Sequence, residues 1–306
     1  MDTPVLLLVY NRLDTLQQVW EVLRRVKPRY LFVSRDGPKA NPADQERTEA
    51  VQRFIESHID WRCEATFRFN PTNQGLKLGV ASGITWFFSQ VEAGIILEDD
   101  TLPHPDFFTY ATEMLERYWQ DERIGCISGY SGASPWYRLP YAWDFIRFPL
   151  IWGWATWRRV WKEYDVDMKD WPSLRDSGQL RHHLPGLERH YTFIQQTIER
   201  VYRGTVHTWD TQLTYLCLKT HRLTVVPRTN LIMNIGHGHG LSTSTRKVQL
   251  HLLIPPQPWE RSPAPPLIAP NHRYEEALFR YVWNPSFALK VYRYLRREWV
   301  AAPPKA

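Results

Sequence analysis

The sequence contains only three cysteines among 306 residues, and they lie far apart, at Cys63, Cys126 and Cys217. Their number is odd and none has the short spacing of metal ligands, so we expect a reducing compartment, with neither a cysteine metal site nor structural disulfides. Long apolar runs are also missing, since the first, residues 5–9, is too short for a membrane span or a secretory signal core. These absences predict a cytoplasmic protein.

A basic stripe is missing from most of the chain, although the formal net charge is +6. Residues from Leu241 onward contain ten Lys or Arg and four Glu, so the whole positive surplus lies in this tail and the first 240 residues are neutral. Nucleic-acid binding is therefore not expected. The hydrophobic fraction of 43% and the charged fraction of 23% are typical of a folded soluble protein with one large or two small domains.

Aromatic residues, by contrast, are abundant, with 15 Trp, 15 Tyr and 13 Phe. Such residues form platforms for ring-shaped ligands as well as parts of a core. The tryptophans of the segment Leu150-Ile-Trp-Gly-Trp-Ala-Thr-Trp157 illustrate both roles. Trp152, Trp154 and Trp157 could stack on a ring-shaped ligand, but we expect at least two of them to pack in the core.

Apolar runs and helical periodicities alternate over the first 100 residues. Continuous apolar runs are typical of strands buried on both faces of a parallel sheet, and apolar positions three and four residues apart are typical of helices. The resulting β-α-β-α-β-α-β order predicts the nucleotide-binding half of a doubly wound α/β fold. The predicted strands are 4–10, 30–34, 63–69 and 94–97, and the predicted helices are 13–26, 44–58 and 76–91.

The fourth predicted strand runs directly into three acids, Glu98, Asp99 and Asp100. Adjacent carboxylates at the end of a core strand repel one another and lose solvation, and a divalent cation relieves both penalties. Oxygen ligands favour Mg²⁺ or Mn²⁺ over a soft metal. The alternative interpretation is a solvated acidic turn that caps the next helix.

Three further positions follow the other predicted strands: Arg12, Asp36 and Gly75. The carboxyl ends of parallel strands meet at one edge of an open α/β sheet, and ligands bind there. A glycine at such an edge lets the backbone approach a ligand closely. The sequence therefore predicts one ligand site that these positions share with the three acids.

The second half of the chain shows weaker periodicity and more Gly, Pro and aromatic residues. Either Thr208 or Asp210 is a natural amino-terminal cap for a helix that starts near them. We predict helices at 106–119 and 190–202 and from residue 208, strands at 124–128 and 223–227, an irregular loop at 129–149, and a Pro-rich linker or wrapping strap at 255–270.

The segments described above resemble GT-A-type nucleotide-sugar glycosyltransferases. The resemblance is to the N-acetylglucosaminyltransferase that starts hybrid and complex N-glycans and to bacterial sugar transferases of that type. It implies a GT-A fold, a Rossmann-like and mostly parallel doubly wound sheet, followed here by a Pro-rich strap and helix. It also implies a nucleotide-sugar-binding half at 1–128, an acceptor-binding and catalytic half at 129–250, and a basic extension at 251–306. The segments that carry it are PVLLLVYNR, FVSRDG, NQGLKLGVASG, GIILEDDTLPHPDFF, GWATW and HTWDTQ, within residues 4–240.

The same resemblance implies a role for each matched position. Tyr10 and Arg12 would line the nucleotide site, and Asp36 would accept a hydrogen bond from the base, usually uracil. The segment Glu98-Asp99-Asp100 matches a variant DxD motif, whose last acid would bind the metal while the first two contact ribose and donor sugar. Asp210 falls where the family has its catalytic base. The eukaryotic relative has a second carboxylate at the next position, where this chain has Thr211.

The function implied is a metal-dependent inverting glycosyltransferase of the hexosyl or N-acetylhexosaminyl type. It would use a UDP-linked donor with Mn²⁺ or Mg²⁺ and a glycan or lipid-linked acceptor, as in polysaccharide, lipopolysaccharide or glycoprotein assembly. One alternative is a sugar-phosphate nucleotidyltransferase, but Asn11-Arg12-Leu13-Asp14 lacks the glycines of that phosphate loop. The other is an inactive sugar-binding module, which the retained acids argue against.

Two features near the carboxyl terminus leave alternatives open. His237 and His239 lie in a glycine-rich loop that could supply a metal ligand, or that is only a surface loop. Residues 286–299 have the pattern of an amphipathic helix with an apolar side and a basic side. Such a helix suits peripheral contact with the anionic inner face of a membrane, or its apolar side packs on the catalytic domain.

Overall fold

A computed structural model describes residues 1–236, 254–261 and 263–284. Its main feature is an eight-stranded sheet in the order β3-β2-β1-β4-β8-β6-β9-β7, beside a two-stranded ribbon of β10 and β5. The strands are β1 Val5–Val9, β2 Tyr30–Arg35, β3 Glu64–Phe69, β4 Ala93–Glu98, β5 Thr101–Pro103, β6 Ile124–Ser128, β7 Trp143–Ile146, β8 Trp154–Trp157, β9 Leu223–Pro227 and β10 Ile232–Asn234. The helices are α1 Leu13–Val26, α2 Pro42–Ser57, α3 Gly75–Phe88, α4 Asp106–Arg117, α5 Arg158–Trp161, α6 Trp171–Ser177, α7 Gln179–His182, α8 Tyr191–Tyr202, α9 Asp210–Lys219 and α10 His272–Leu278, which continues as a π-helical turn, Phe279–Trp283.

The sheet is mostly parallel, which confirms the predicted fold class. Strands β3, β2, β1 and β4 all run in one direction. Strand β8 is antiparallel to both β4 and β6, so β6 and its parallel neighbour β9 share the direction of β1, and only β8 and β7 oppose it. All five residues of β1 are buried, as expected for a central strand covered by helices on both faces.

The predicted loop at 129–149 is wrong in part, because residues 143–146 form β7 at the edge of the sheet. This strand pairs antiparallel with β9, with Trp143 opposite Pro227. All four of its residues are buried, including Asp144, so buried and exposed positions do not alternate along it. A four-residue strand among Gly, Pro and aromatic residues has no local signal, and its pairing with β9 stabilises it.

Two tryptophans of the segment 150–157 belong to the core, as expected. Trp154 and Trp157 are 1% and 2% exposed on β8, between β4 and β6. Trp154 stacks on Trp209 with ring centroids 5.8 Å apart. This stack links the sheet to the start of α9, and Trp209 directly precedes Asp210.

The ribbon of β5 and β10 lies directly after the three acids. The amide of Ile235 donates a hydrogen bond of 2.8 Å to the backbone oxygen of Asp100. A Cβ atom on Gly236 would lie 2.1 Å from Asp100 Oδ2 and 2.7 Å from an Arg12 nitrogen, so any larger residue would displace these two side chains. The start of the glycine-rich loop is thus packed against the acidic strand end.

The Pro-rich segment wraps the body of the protein, as the strap hypothesis expected. The amide of Trp259 donates to Asp106 Oδ2 at 3.0 Å, and Pro270 forms a bridge with Phe145 of β7. Beyond the strap, α10 is tied to the sheet by a buried ion pair between Arg147 and Glu275, 2.9 Å apart. The predicted helix at 286–299 lies outside the described residues. Across the described ranges, no helix has the length and apolarity to cross a bilayer.

Candidate active site

A cavity of about 480 Å³ opens at the carboxyl ends of β1, β2 and β4. Its lining residues come from positions between Leu8 and Asn234 of the sequence. Trp152 also lies on its wall. His237 and His239 fall outside the described residues. The predicted site residues that line the cavity are Tyr10, Arg12, Asp36, Gly75, Glu98, Asp99, Asp100 and Asp210.

Arg12 connects the first strand end to the acidic segment. Its guanidinium donates to Asp100 Oδ2 at 2.7 Å and also forms an ion pair with Asp99. The backbone amide of Tyr10 donates to the second oxygen of Asp99 at 3.0 Å. These bonds hold the buried Asp99 carboxylate between β1 and the turn that follows β4.

The electrostatics of this cluster favour a positively charged ligand. Burial raises the pKa of Glu98 to about 8, and the nearby charge of Asp100 adds to this shift. Burial also raises the pKa of Asp99 to about 6, although the Arg12 guanidinium opposes the increase. Burial alone would lower the pKa of Arg12, but Asp99 and Asp100 outweigh it, so this pKa lies above its usual value. A bound cation would lower the pKa of both acids, because it stabilises their charged forms.

The residues of this cluster fit a hard divalent cation that binds together with a substrate. Within the described ranges, no group of three or more His, Cys, Asp or Glu could hold a metal by itself. Mg²⁺ usually has only one or two carboxylate ligands, with phosphate oxygens and waters completing its shell. Asp100, on the cavity wall and bonded to Arg12 through Oδ2, offers one such carboxylate.

The structure shows Asp36 in a role that the sequence did not suggest. Its carboxylate accepts hydrogen bonds from the amides of Gly37, Gln74 and Gly75 at 2.9 to 3.0 Å. The side-chain amides of Asn70 and Asn73 donate to it as well, at 3.3 and 3.0 Å. Asp36 therefore clamps the loop between β3 and α3, and an imide N–H from a base would have to share or displace these donors.

Glycine is favoured at position 75 by the backbone conformation, in addition to any close approach of a ligand. Its φ of 75° lies in the left-handed region, which residues with a Cβ rarely adopt. This conformation turns its amide towards Asp36 at the start of α3. Gly75 is thus part of the clamp and also lines the cavity.

Asp44 is a residue of the cavity that the sequence analysis missed. Its buried carboxylate accepts hydrogen bonds from the Tyr10 hydroxyl at 2.5 Å, the Asn11 amide at 2.6 Å and the Lys39 backbone amide at 2.7 Å. The sequence signal near it is a helix start, because Asn41 caps α2 by accepting from the Asp44 amide. That signal predicts the helix boundary and not the inward direction of the Asp44 side chain.

Replacing Asp44 with Ala should lower the free energy of unfolding by about 2–4 kcal/mol, because four donors would lose their partner: those of Tyr10, Asn11, Lys39 and the Arg47 guanidinium. Burial alone would raise the pKa of Asp44, but the bonds from Tyr10 and Lys39 outweigh it and lower that pKa. The stabilisation is therefore present above about pH 4 and is lost as the pH falls through the folded pKa. Urea unfolding of wild type and variant at pH 7 and pH 3 measures this difference. A difference that is equal at both pH values would contradict the assignment.

Asp210 is the first residue of α9 and sits opposite the acidic strand end. Its Oδ1 accepts from the Thr211 amide at 2.8 Å and from the Thr208 hydroxyl. The cap predicted at Thr208 or Asp210 is wrong, because the N-cap residue of α9 is Trp209, which makes no side-chain capping bond. Asp210 instead accepts from its neighbours within the first turn, through Oδ1 alone, and it lines the cavity. Its charge contributes to the raised pKa of Glu98.

No family model and no curated protein matches the sequence. Among solved structures, the chain resembles a mannosyltransferase from Pyrobaculum calidifontis in complex with GDP-Man and Mn²⁺, at 15% identity, with 72% of this chain and 73% of that chain covered and a TM-score of 0.38. It also resembles HddC from Yersinia pseudotuberculosis (9% identity, 53% and 80% covered, TM-score 0.31) and a UDP-glucose pyrophosphorylase complexed with UDP-glucose (12% identity, 53% and 78% covered, TM-score 0.33). At these values the likenesses assign no activity to this chain.

Proposed function

We propose that this protein is a metal-dependent inverting glycosyltransferase that uses a nucleotide-diphosphate sugar. The observation that carries the proposal is the single cavity in which the acids after β4, Arg12 and Asp210 meet. Breaking a sugar C1–phosphate bond requires stabilisation of a diphosphate leaving group and a base for the acceptor hydroxyl. The cavity offers residues for both tasks.

The donor would lie along the ends of β1, β2 and β4. Tyr10, held through its hydroxyl by Asp44, forms a wall for the base. Glu98 and Asp99 lie where ribose and sugar hydroxyls would bind. The sugar itself, a hexose or an N-acetylhexosamine, would face Trp152, whose ring lines the cavity. Aromatic faces commonly pack against the apolar face of a sugar ring.

Asp100 would hold Mn²⁺ or Mg²⁺ together with the donor diphosphate. A divalent cation in this position stabilises the negative charge that develops on the leaving group. Arg12 contributes a fixed positive charge next to the same carboxylate. When a diphosphate binds, its oxygens would compete with Asp99 and Asp100 for the guanidinium donors.

Asp210 would act as the general base. It accepts the proton of the acceptor hydroxyl as the acceptor oxygen forms a bond to sugar C1 and the C1–phosphate oxygen bond breaks. The electron pair of that bond leaves with the diphosphate, and a single in-line step inverts the anomeric centre. Because Oδ1 carries the bonds from Thr208 and Thr211, Oδ2 is the oxygen for this proton transfer.

The test of the proposed function is a calorimetric and donor-hydrolysis screen with UDP-, GDP- and dTDP-sugars in the presence of Mn²⁺. We expect binding and slow hydrolysis with one nucleotide class, and UDP in particular, which is the class the family resemblance favours. Tighter binding of GDP than of UDP would overturn the choice of base.

A second arm of the screen, with a nucleoside triphosphate and a sugar 1-phosphate as substrates, distinguishes the rival function. A nucleotidyltransferase would release pyrophosphate from a nucleoside triphosphate and a sugar 1-phosphate, and the proposed enzyme would not. Pyrophosphate release without donor hydrolysis would contradict the glycosyltransferase assignment. Binding of a nucleotide sugar without hydrolysis or transfer to any acceptor would instead indicate an inactive sugar-binding module.

A further inference from the structure

A second cavity, of about 430 Å³, lies on the other side of Asp210. It shares Asp210, Ile151 and Trp152 with the cavity described above, so these residues form the boundary between the two. Its remaining walls come from α8, α9, the segment before β8 and the π-helical turn after α10. Under the proposed function, this is the side from which an acceptor hydroxyl would reach the base.

The lining of this second cavity is apolar and aromatic. Phe148, Phe279 and Trp283 form a cluster with ring centroids 5.0 to 5.4 Å apart, and Phe193 lies 6.0 Å from Phe279. Of the lining residues that the structure describes, Asp210 alone carries a charge. Burying a charged group in such surroundings is unfavourable unless it finds a partner.

Two of the four hydroxyl-bearing residues of the described lining use their hydroxyl hydrogens locally. Thr197 donates to the backbone oxygen of Phe193 at 2.8 Å within α8, and Thr214 donates to the backbone oxygen of Asp210 at 3.2 Å within α9. A phosphorylated group would lose hydration here without meeting a cation among the described lining residues, and a free sugar chain would bury most of its hydroxyl groups against apolar walls.

We infer that the acceptor is amphipathic, with a hydroxyl at Asp210 and an uncharged apolar group in the second cavity. This inference rests on the proposed function and narrows its acceptor class. An alkyl chain and an aromatic aglycone are both uncharged and apolar, so either could pack against the aromatic and aliphatic walls of this cavity. A charged phosphate attached to the acceptor would lie outside this cavity.

Ligand-observed NMR titrations with three glucosides test the inference. Methyl, phenyl and n-octyl β-D-glucopyranoside carry the same sugar and differ only in the apolar group, and octyl glucoside is used below its micelle concentration. We expect the octyl or phenyl glucoside to bind at least tenfold more tightly than the methyl glucoside, because only these bury apolar surface. Equal binding of all three glucosides, or binding of none, would overturn the inference. If one of the phenyl and octyl glucosides binds more tightly than the other, that glucoside shows whether the cavity prefers an aromatic or an alkyl group.

A matched pair of variants on α8 locates the binding. Thr197→Glu places a charge inside the cavity, whereas Thr192→Glu places the same charge on the exposed face of the same helix. We expect Thr197→Glu to weaken binding of the apolar glucoside at least tenfold and Thr192→Glu to change it less than twofold. If Thr197→Glu does not fold, Phe193→Ala, which truncates a half-buried wall residue, should weaken binding several-fold instead. Unchanged binding in a folded wall variant would overturn the inference.

Nucleotide binding, measured with UDP and GDP plus Mn²⁺ in the same samples, separates the two proposals. Nucleotide binding without any preference for an apolar glucoside overturns the acceptor inference and leaves the proposed function standing. Binding of an apolar glucoside without nucleotide binding contradicts the proposed function, and with it the assignment of the second cavity to an acceptor.

Discussion

Asp100→Asn should abolish Mn²⁺-stimulated turnover while the protein stays folded. The amide keeps the shape of the side chain but removes the negative charge that would hold a divalent cation beside the diphosphate. The fold should tolerate this change, because the Asp100 charge contributes to the unfavourable burial of Glu98. The measurements are donor hydrolysis as a function of Mn²⁺ concentration, the same assay with excess EDTA, and thermal unfolding.

Arg12→Gln controls for the loss of the ion pair in this experiment. It also breaks the 2.7 Å bond to Asp100 but leaves the carboxylate in place. We expect this variant to bind the donor more weakly and still to require Mn²⁺. Full activity of Asp100→Asn, or wild-type activity in EDTA, would contradict a metal role for Asp100.

Asp210→Asn should reduce sugar transfer by about 10²–10⁴-fold with little effect on nucleotide binding. An asparagine oxygen can still accept from the Thr211 amide, so the start of α9 should persist. It cannot take a proton from an acceptor hydroxyl at neutral pH. Transfer should be measured with the acceptor that the glucoside titrations select, and UDP binding by calorimetry.

Asp106→Asn is the matched control, because Asp106 is likewise the first residue of a helix, α4, and bonds to the strap away from the cavity. We expect this variant to keep near wild-type transfer. A similarly small loss in Asp210→Asn would mean that Asp210 is not the general base. A joint loss of binding and turnover would mean that its role is structural.

The sequence predicted much of the site because parallel strands have a fixed geometry. Arg12, Asp36 and the three acids each follow an apolar run, and the carboxyl ends of β1, β2 and β4 lie side by side in the sheet. Their meeting in one cavity follows from strand order and direction, which the β-α-β pattern already indicates. The Pro-rich strap could also be predicted from the sequence, because its many prolines disfavour helix and sheet.

Other features depended on contacts that no local pattern encodes. Strand β7 exists through its pairing with β9, about 80 residues away in the chain. Asp36 and Asp44 are both acids near loops. The sequence does not show that five donors surround Asp36 or that Asp44 accepts a hydrogen bond from the Tyr10 hydroxyl. Side-chain direction and hydrogen-bond partners at such positions follow from how loops pack together.

By itself, the sequence determined the α/β architecture and the cluster of polar residues at one edge of the sheet, because apolar periodicity and strand ends are local properties. Only the tertiary structure decided that Asp210 faces this cluster and that an apolar cavity lies behind it. The stack of Trp154 on Trp209 joins β8 to the start of α9 across some 50 residues of chain, and the π-helical turn after α10 completes the far wall. Such contacts form because burying large aromatic surfaces together lowers the free energy of the folded state. This stabilisation depends on the whole fold rather than on any one segment.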